Sequence, residues 1–155
     1  MSGSPNDAVS EETSTDDGDP PGSPYDWYHQ AVALLDGGNP DAAAVVFARL
    51  REVDPSSTCV LEGHARALFD GRRYGEAAEA FAELADRSPA EDYAHYGLGM
   101  SLWRLQRFPE ARDELAMAFV MSPHRSEYGS ALTQVKATLR ARALGGLPLE
   151  GPIST

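Results

Sequence analysis

Prolines 55, 89 and 123 stand 34 residues apart, and each follows a short polar residue, in Asp54-Pro55, Ser88-Pro89 and Ser122-Pro123. Punctuation that recurs at a fixed period marks stacked copies of one supersecondary unit. The apolar residues keep the same register. Leu34, Leu68 and Leu102 form one column, and Ala43, Ala77 and Ala111 a second. Phe47, Phe81 and Leu115 form a third, and Leu50, Leu84 and Ala118 a fourth. One proline coincidence would not align the rest, so the chain is a repeat array.

Within each period the apolar residues recur at three- and four-residue steps on either side of a short polar break, which makes each copy a helical hairpin. The spacing predicts helices from Pro24 to the stop at Gly37-Gly38, over Pro40–Val53, Thr58–Phe69, Tyr74–Arg87, Asp92–Leu105 and Phe108–Met121. Ser23 is placed to cap the first helix, with Pro24 at its tolerated first position, and Asn39 to cap the second. Asp70-Gly71 is the expected break in the second copy. After Pro123 the repeat fades, but Tyr128, Leu132, Val135 and Leu139 keep helical spacing, with Thr133, Gln134, Lys136 and Arg140 on the other side. Such a helix, over 126–144, covers the last repeat and turns a polar face outward. Arg140 and Arg142 suit its carboxyl end, and Gly145-Gly146 stops it.

These columns resemble the tetratricopeptide repeat family over about residues 24 to 125. The third copy carries the resemblance best, with Leu98-Gly99, Phe108, Glu110-Ala111 and Pro123. In the first, Trp27 fills the family's large aromatic place, while Gln30 and Ala31 replace its leucine and glycine. The resemblance implies an all-α fold, a right-handed superhelix of three hairpins with a C-terminal capping helix, and a binding surface rather than a reaction. The expected organisation is an acidic disordered leader over 1–22 and a repeat domain over 23–144, with copies at about 24–57, 58–91 and 92–125. A flexible tail over 145–155 completes it.

Charge narrows the partners. Of 24 acidic residues, six precede Pro24 with no Lys or Arg among them, leaving 18 against 13 basic residues in the remainder. An acidic chain of this kind does not neutralise phosphates, so nucleic acid and anionic membranes are not the expected partners. The longest apolar run, 42–48, is far short of a membrane span. A single cysteine forms no internal disulfide, and the first residues lack the basic and apolar parts of a secretory signal, so the expected location is cytoplasmic. Twelve Arg to one Lys, with abundant Ala, fits a GC-rich bacterial genome.

No constellation for chemistry is present. His29, His64, His95 and His124 fall in different copies without i,i+4 partners, so no metal ligand set is expected. Gly97-Leu98-Gly99 lies inside a helix, where packing calls for small residues, and is no phosphate loop. No enzyme activity and no cofactor are expected.

In this family the first helix of each repeat lines a concave groove. The corresponding columns here are Tyr25, Cys59 and Tyr93; Tyr28, Glu62 and Tyr96; Val32, Arg66 and Met100; and Leu35, Phe69 and Trp103. Nine of these twelve are aromatic or aliphatic, a composition that marks an interaction surface when it faces water. The expected contacts to a peptide segment of a partner protein are Tyr28, Phe69, Tyr96, Met100 and Trp103 as apolar anchors, with Arg66 and Arg104 for an acidic group. Phe69 and Trp103 are expected side by side. Relatives that hold the acidic carboxyl terminus of heat-shock chaperones use a clamp of Lys, Asn and Arg, and its places here hold Tyr28, Val32, Gly63, Tyr93 and Gly97. That activity is therefore not carried over. The resemblance thus implies an adaptor with an apolar groove. The alternatives are a self-association module forming homo-oligomers without a foreign ligand, and a small three-repeat chaperone of bacterial secretion systems holding an export client.

Overall fold

A computed structural model describes residues 22–153. The leader expected over 1–22 lies outside the described residues except for Gly22. Seven helices follow one another: α1 (Pro24–Asp36), α2 (Pro40–Val53), α3 (Thr58–Asp70), α4 (Tyr74–Arg87), α5 (Asp92–Arg104), α6 (Phe108–Met121) and α7 (Ser126–Leu144). Each packs on the next, and α1, α3, α5 and α7 also touch in sequence. The odd helices therefore form an inner layer and the even helices an outer one, in a right-handed superhelix of three hairpins closed by α7.

Small residues set the spacing of the layers. Ala43, Ala77 and Ala111 are wholly buried, and so, to within a hundredth, are Phe47, Phe81 and Leu115 one turn further on. A Cβ at Gly63 would run into the Phe47 ring, and one at Gly97 into the Phe81 ring. These two glycines stand 34 residues apart, so α2 and α4 each drive an aromatic ring against the backbone of the next inner helix. At Gly99 a Cβ would lie 2.7 Å from Leu115 Cγ and 3.3 Å from the Leu115 backbone nitrogen. Close approach, not turn geometry, fixes these glycines.

The connections depart from the expectation. Ser23 caps α1 in a reciprocal arrangement with Asp26, but Asn39 makes no side-chain cap on α2. Its backbone N–H instead donates to the Leu34 carbonyl at 2.8 Å, closing the end of α1. The break in the second copy falls at Asp70-Gly71 as expected, with α3 ending at Asp70 and Gly71 capping it, but Gly71 itself has an ordinary φ of −80°. The left-handed residue is Arg72, with φ 62°, and it aligns with Gly38 (83°) and Gln106 (60°) in the other copies. Left-handed backbone is thus a property of the repeat, filled by glycine only in the first.

The last residues differ as well. In place of a flexible tail, residues 147–151 turn back over the end of the third hairpin. Arg142, expected at the carboxyl end of α7 for its charge, is 7% exposed, and its guanidinium lies 4.7 Å from the Phe108 ring centroid. It donates to the carbonyls of Pro148 at 3.1 Å and Gly151 at 2.7 Å, while the Gly151 N–H donates to the Gln106 carbonyl at 2.9 Å.

Candidate functional site: the concave groove

Side chains on α3 and α5 that point away from the outer layer form the floor of the inner surface. Arg66, Phe69, Asp70, Phe81, Tyr93, Tyr96, Gly97 and Met100 enclose a cavity of about 240 Å³. A smaller one, about 80 Å³, adjoins it toward α1 and is lined by Tyr28, Val32, Glu62 and Arg66 among others. Arg66 borders both. The structure thus brings Arg66, Phe69, Tyr96 and Met100 together, with Tyr28 next to them, and all five are half-buried. Leu35 belongs to the core, being 6% exposed.

Trp103 and Arg104 are placed differently from the sequence expectation. Each floor ring pairs with the first residue of its own outer helix: Phe69 meets Tyr74 edge-on at 5.3 Å, and Trp103 meets Phe108 edge-on at 5.1 Å. The Arg104 guanidinium lies over Phe69 and Tyr74, at 6.0 and 5.6 Å from their centroids. The side chain stays exposed there and keeps its charge. Neither Trp103 nor Arg104 lines the two cavities.

Two features of the site escaped the column reasoning. Tyr96 stacks on Tyr128 of α7, centroids 4.6 Å apart and planes at 28°, so the capping helix closes one end of the groove. Burial, and after it the neighbouring carboxyl of Glu91, pushes the Glu62 carboxyl up to about 7. Tyr93 is raised to about 12, also chiefly by burial. Glu91 lies outside the groove columns and Tyr128 outside the three repeats, which is why neither carried a signal.

Other surfaces are polar or shallow. His64 is held neutral, its value lowered to about 4 by burial and then by Arg51, whose guanidinium lies 3.2 Å from its Nδ1. His95 pairs with Glu114 at 2.9 Å. Among the described residues no group of His, Cys, Asp and Glu is arranged to hold a metal ion, and no helix is long and apolar enough to cross a membrane. A wide hollow of about 760 Å³ lies over α6 and α7, where Phe119 is 36% exposed beside Gly129.

Antiparallel hairpins in two layers around an open inner face define a helical-repeat protein. The chain belongs to the tetratricopeptide repeat family, whose models match residues 27–57 and 63–126. Its fold is similar to MamA from Desulfovibrio magneticus RS-1, with a TM-score of 0.72 at 19% identity over 74% of this chain and 65% of that one. It therefore spans less than two thirds of that protein. It is similar also to the first such domain of Spaghetti (RPAP3) bound to the HSP90 peptide SRMEEVD, with a TM-score of 0.72 at 16% identity over 76% and 93% of the two chains. The second domain of human RPAP3, in complex with the HSP70 peptide SGPTIEEVD, gives 0.68 at 15% identity over 74% and 98%. No curated protein matches the chain.

Proposed function

We propose that this chain is a non-enzymatic adaptor of the bacterial cytoplasm that holds an extended segment of another protein in its concave groove. The observation that carries this reading is the contiguous half-exposed floor of Phe69, Tyr93, Tyr96 and Met100 around an open cavity. The RPAP3 domains, which share the fold, are solved with peptides, and that supports a peptide as the kind of ligand. Each ligand side chain buried here contributes about 1.5 to 3 kcal/mol. Association costs roughly 4 to 15 kcal/mol, so two or three anchors give modest affinity.

The test is capture of partners from a lysate by the full chain, identification by mass spectrometry, and repetition with Met100→Glu, which places a charge in the cavity. Met100 is only partly buried, so the variant keeps its helical circular dichroism and loses the captured partner. Equal capture by both proteins overturns the groove reading. A second reading is self-association through the hollow beside Phe119. Light scattering separates the two, because a dimer abolished by Phe119→Ser would make that end face the interface.

A further inference from the structure

The repeat leaves one place in its outer layer open. Arg51 of α2 pairs with Glu83 of α4, so the column of Arg51, Ala85 and Phe119 faces the next outer helix along. Phe119 has none to face. After α7 the chain turns back through residues 147–151 to Gln106 instead of forming a fourth outer helix. The hollow of about 760 Å³ over α6 and α7 is where such a helix would lie. The α7 face that bounds it has changed character. In the third hairpin Leu102 packs with Ala111 and Leu115 of its outer helix, and Gly99 lies against Leu115. The residues 34 positions on are Lys136 and Thr133, and both line the hollow.

The charges around this face have one sign. Each acid of α6 and α7 is held by another partner: Glu110 by Arg107, Asp113 by Arg112, Glu114 by His95 and Glu127 by Arg125. Arg142 is buried and donates to Pro148 and Gly151. What remains is Lys136 in the lining and Arg140 one turn further along the same face. Among the described residues neither makes an ion pair, with Glu150 of the returning segment or with any other acid. In a chain of formal net charge −11, this end thus presents two uncompensated cations beside a partly exposed ring, and Val120 next to that ring is 75% exposed. Such a face complements carboxylates and apolar side chains carried on one helix.

We propose that the hollow receives an acidic amphipathic helix of a partner protein, lying along α7 with its apolar side against Phe119 and Leu132 and its carboxylates toward Lys136 and Arg140. The site is separate from the concave groove, because none of the groove's floor residues lines it.

The experiment displays on phage random peptides long enough to match the 14-residue outer helices, pans them against the full chain, and measures the selected peptides by fluorescence anisotropy. A class is expected that carries Asp or Glu on one side and apolar residues at three- and four-residue steps on the other, gains helical circular dichroism on binding, and weakens as salt is raised. The double variant Lys136→Glu and Arg140→Glu, at two exposed positions, weakens this class at least about tenfold. Met100→Glu, in the groove, leaves it unchanged. If no peptide is enriched, or every enriched peptide is indifferent to the double variant, the inference is overturned, and the groove reading stands or falls on its own test. Two other occupants would also overturn it. A full chain that is dimeric by light scattering and monomeric with Phe119→Ser assigns the hollow to a second copy. Displacement of the selected peptide by an equal concentration of a synthetic peptide of residues 1–21, which holds six acidic and no basic side chains, assigns it to the chain's own leader.

Discussion

Two glycines within the helices separate packing from propensity. Gly99 sits where any Cβ meets the side chain and backbone of Leu115, which α6 holds wholly buried. Gly75, exposed in the first turn of α4, has nothing within 4 Å of a Cβ. Gly99→Leu overpacks the third hairpin and costs about 1 to 3 kcal/mol or more. Gly75→Ala does the reverse, gaining about 0.4 to 1 kcal/mol because alanine leaves less backbone freedom to be lost on folding. Thermal melting followed by circular dichroism checks both. An unchanged midpoint for Gly99→Leu would mean that the hairpin opens to admit the side chain. That the small columns pack closely was readable from the sequence, because Ala43, Ala77, Ala111 and Gly97 recur or align at the repeat period. Which ring each small residue receives was not, since Phe47 and Phe81 reach across to Gly63 and Gly97 of the following copy.

At the scale of elements, the turn inside each hairpin is the shared device, and it is strained in two of three copies. A left-handed conformation costs a non-glycine residue about 1 to 2 kcal/mol, and glycine gives back part of that through its greater freedom when unfolded. Arg72 is exposed and its φ of 62° demands that conformation. Arg72→Gly accordingly stabilises the chain by about 0.5 to 1 kcal/mol, read as a higher urea midpoint with an unchanged slope. A lower midpoint would show that the arginine side chain contributes more than its backbone costs. The sequence placed the helices almost to the residue because prolines and polar breaks bound them. It placed the break at Asp70-Gly71 but not the left-handed residue one position on, because a column holding Gly, Arg and Gln carries no common signal. The docked end was illegible for a related reason: Arg142 and Gly151 bind backbone carbonyls, which every residue has.

Across the whole molecule, two groups buried in their less common states give opposing pH dependences, and this follows from where the layers place them. Glu62, on the inner face, is pushed from an ordinary 4.5 to about 7 by burial and then by Glu91, so the folded chain binds more protons than the unfolded one across that range. Stability from this group is complete below about 4.5 and is lost as the pH rises through 7. His64, toward the outer helices, is pushed from 6.5 to about 4 by burial and then by Arg51, so the unfolded chain binds the extra proton between those values. Its contribution is present above 6.5 and lost as the pH falls through 4. Between about 4.5 and 6.5 the two slopes oppose, and above 6.5 only that of Glu62 remains. Melting temperature therefore changes little from these groups near pH 5.5 and declines from about pH 6.5 to 7.5. Glu62→Gln removes the decline: it melts higher than the native chain at pH 8 and, with His64 left alone, rises steadily from pH 4 to 6.5. Parallel profiles for the two proteins across pH 5 to 8 would show that Glu62 titrates alike in the folded and unfolded chain, and the half-buried acid pair would lose its physical basis.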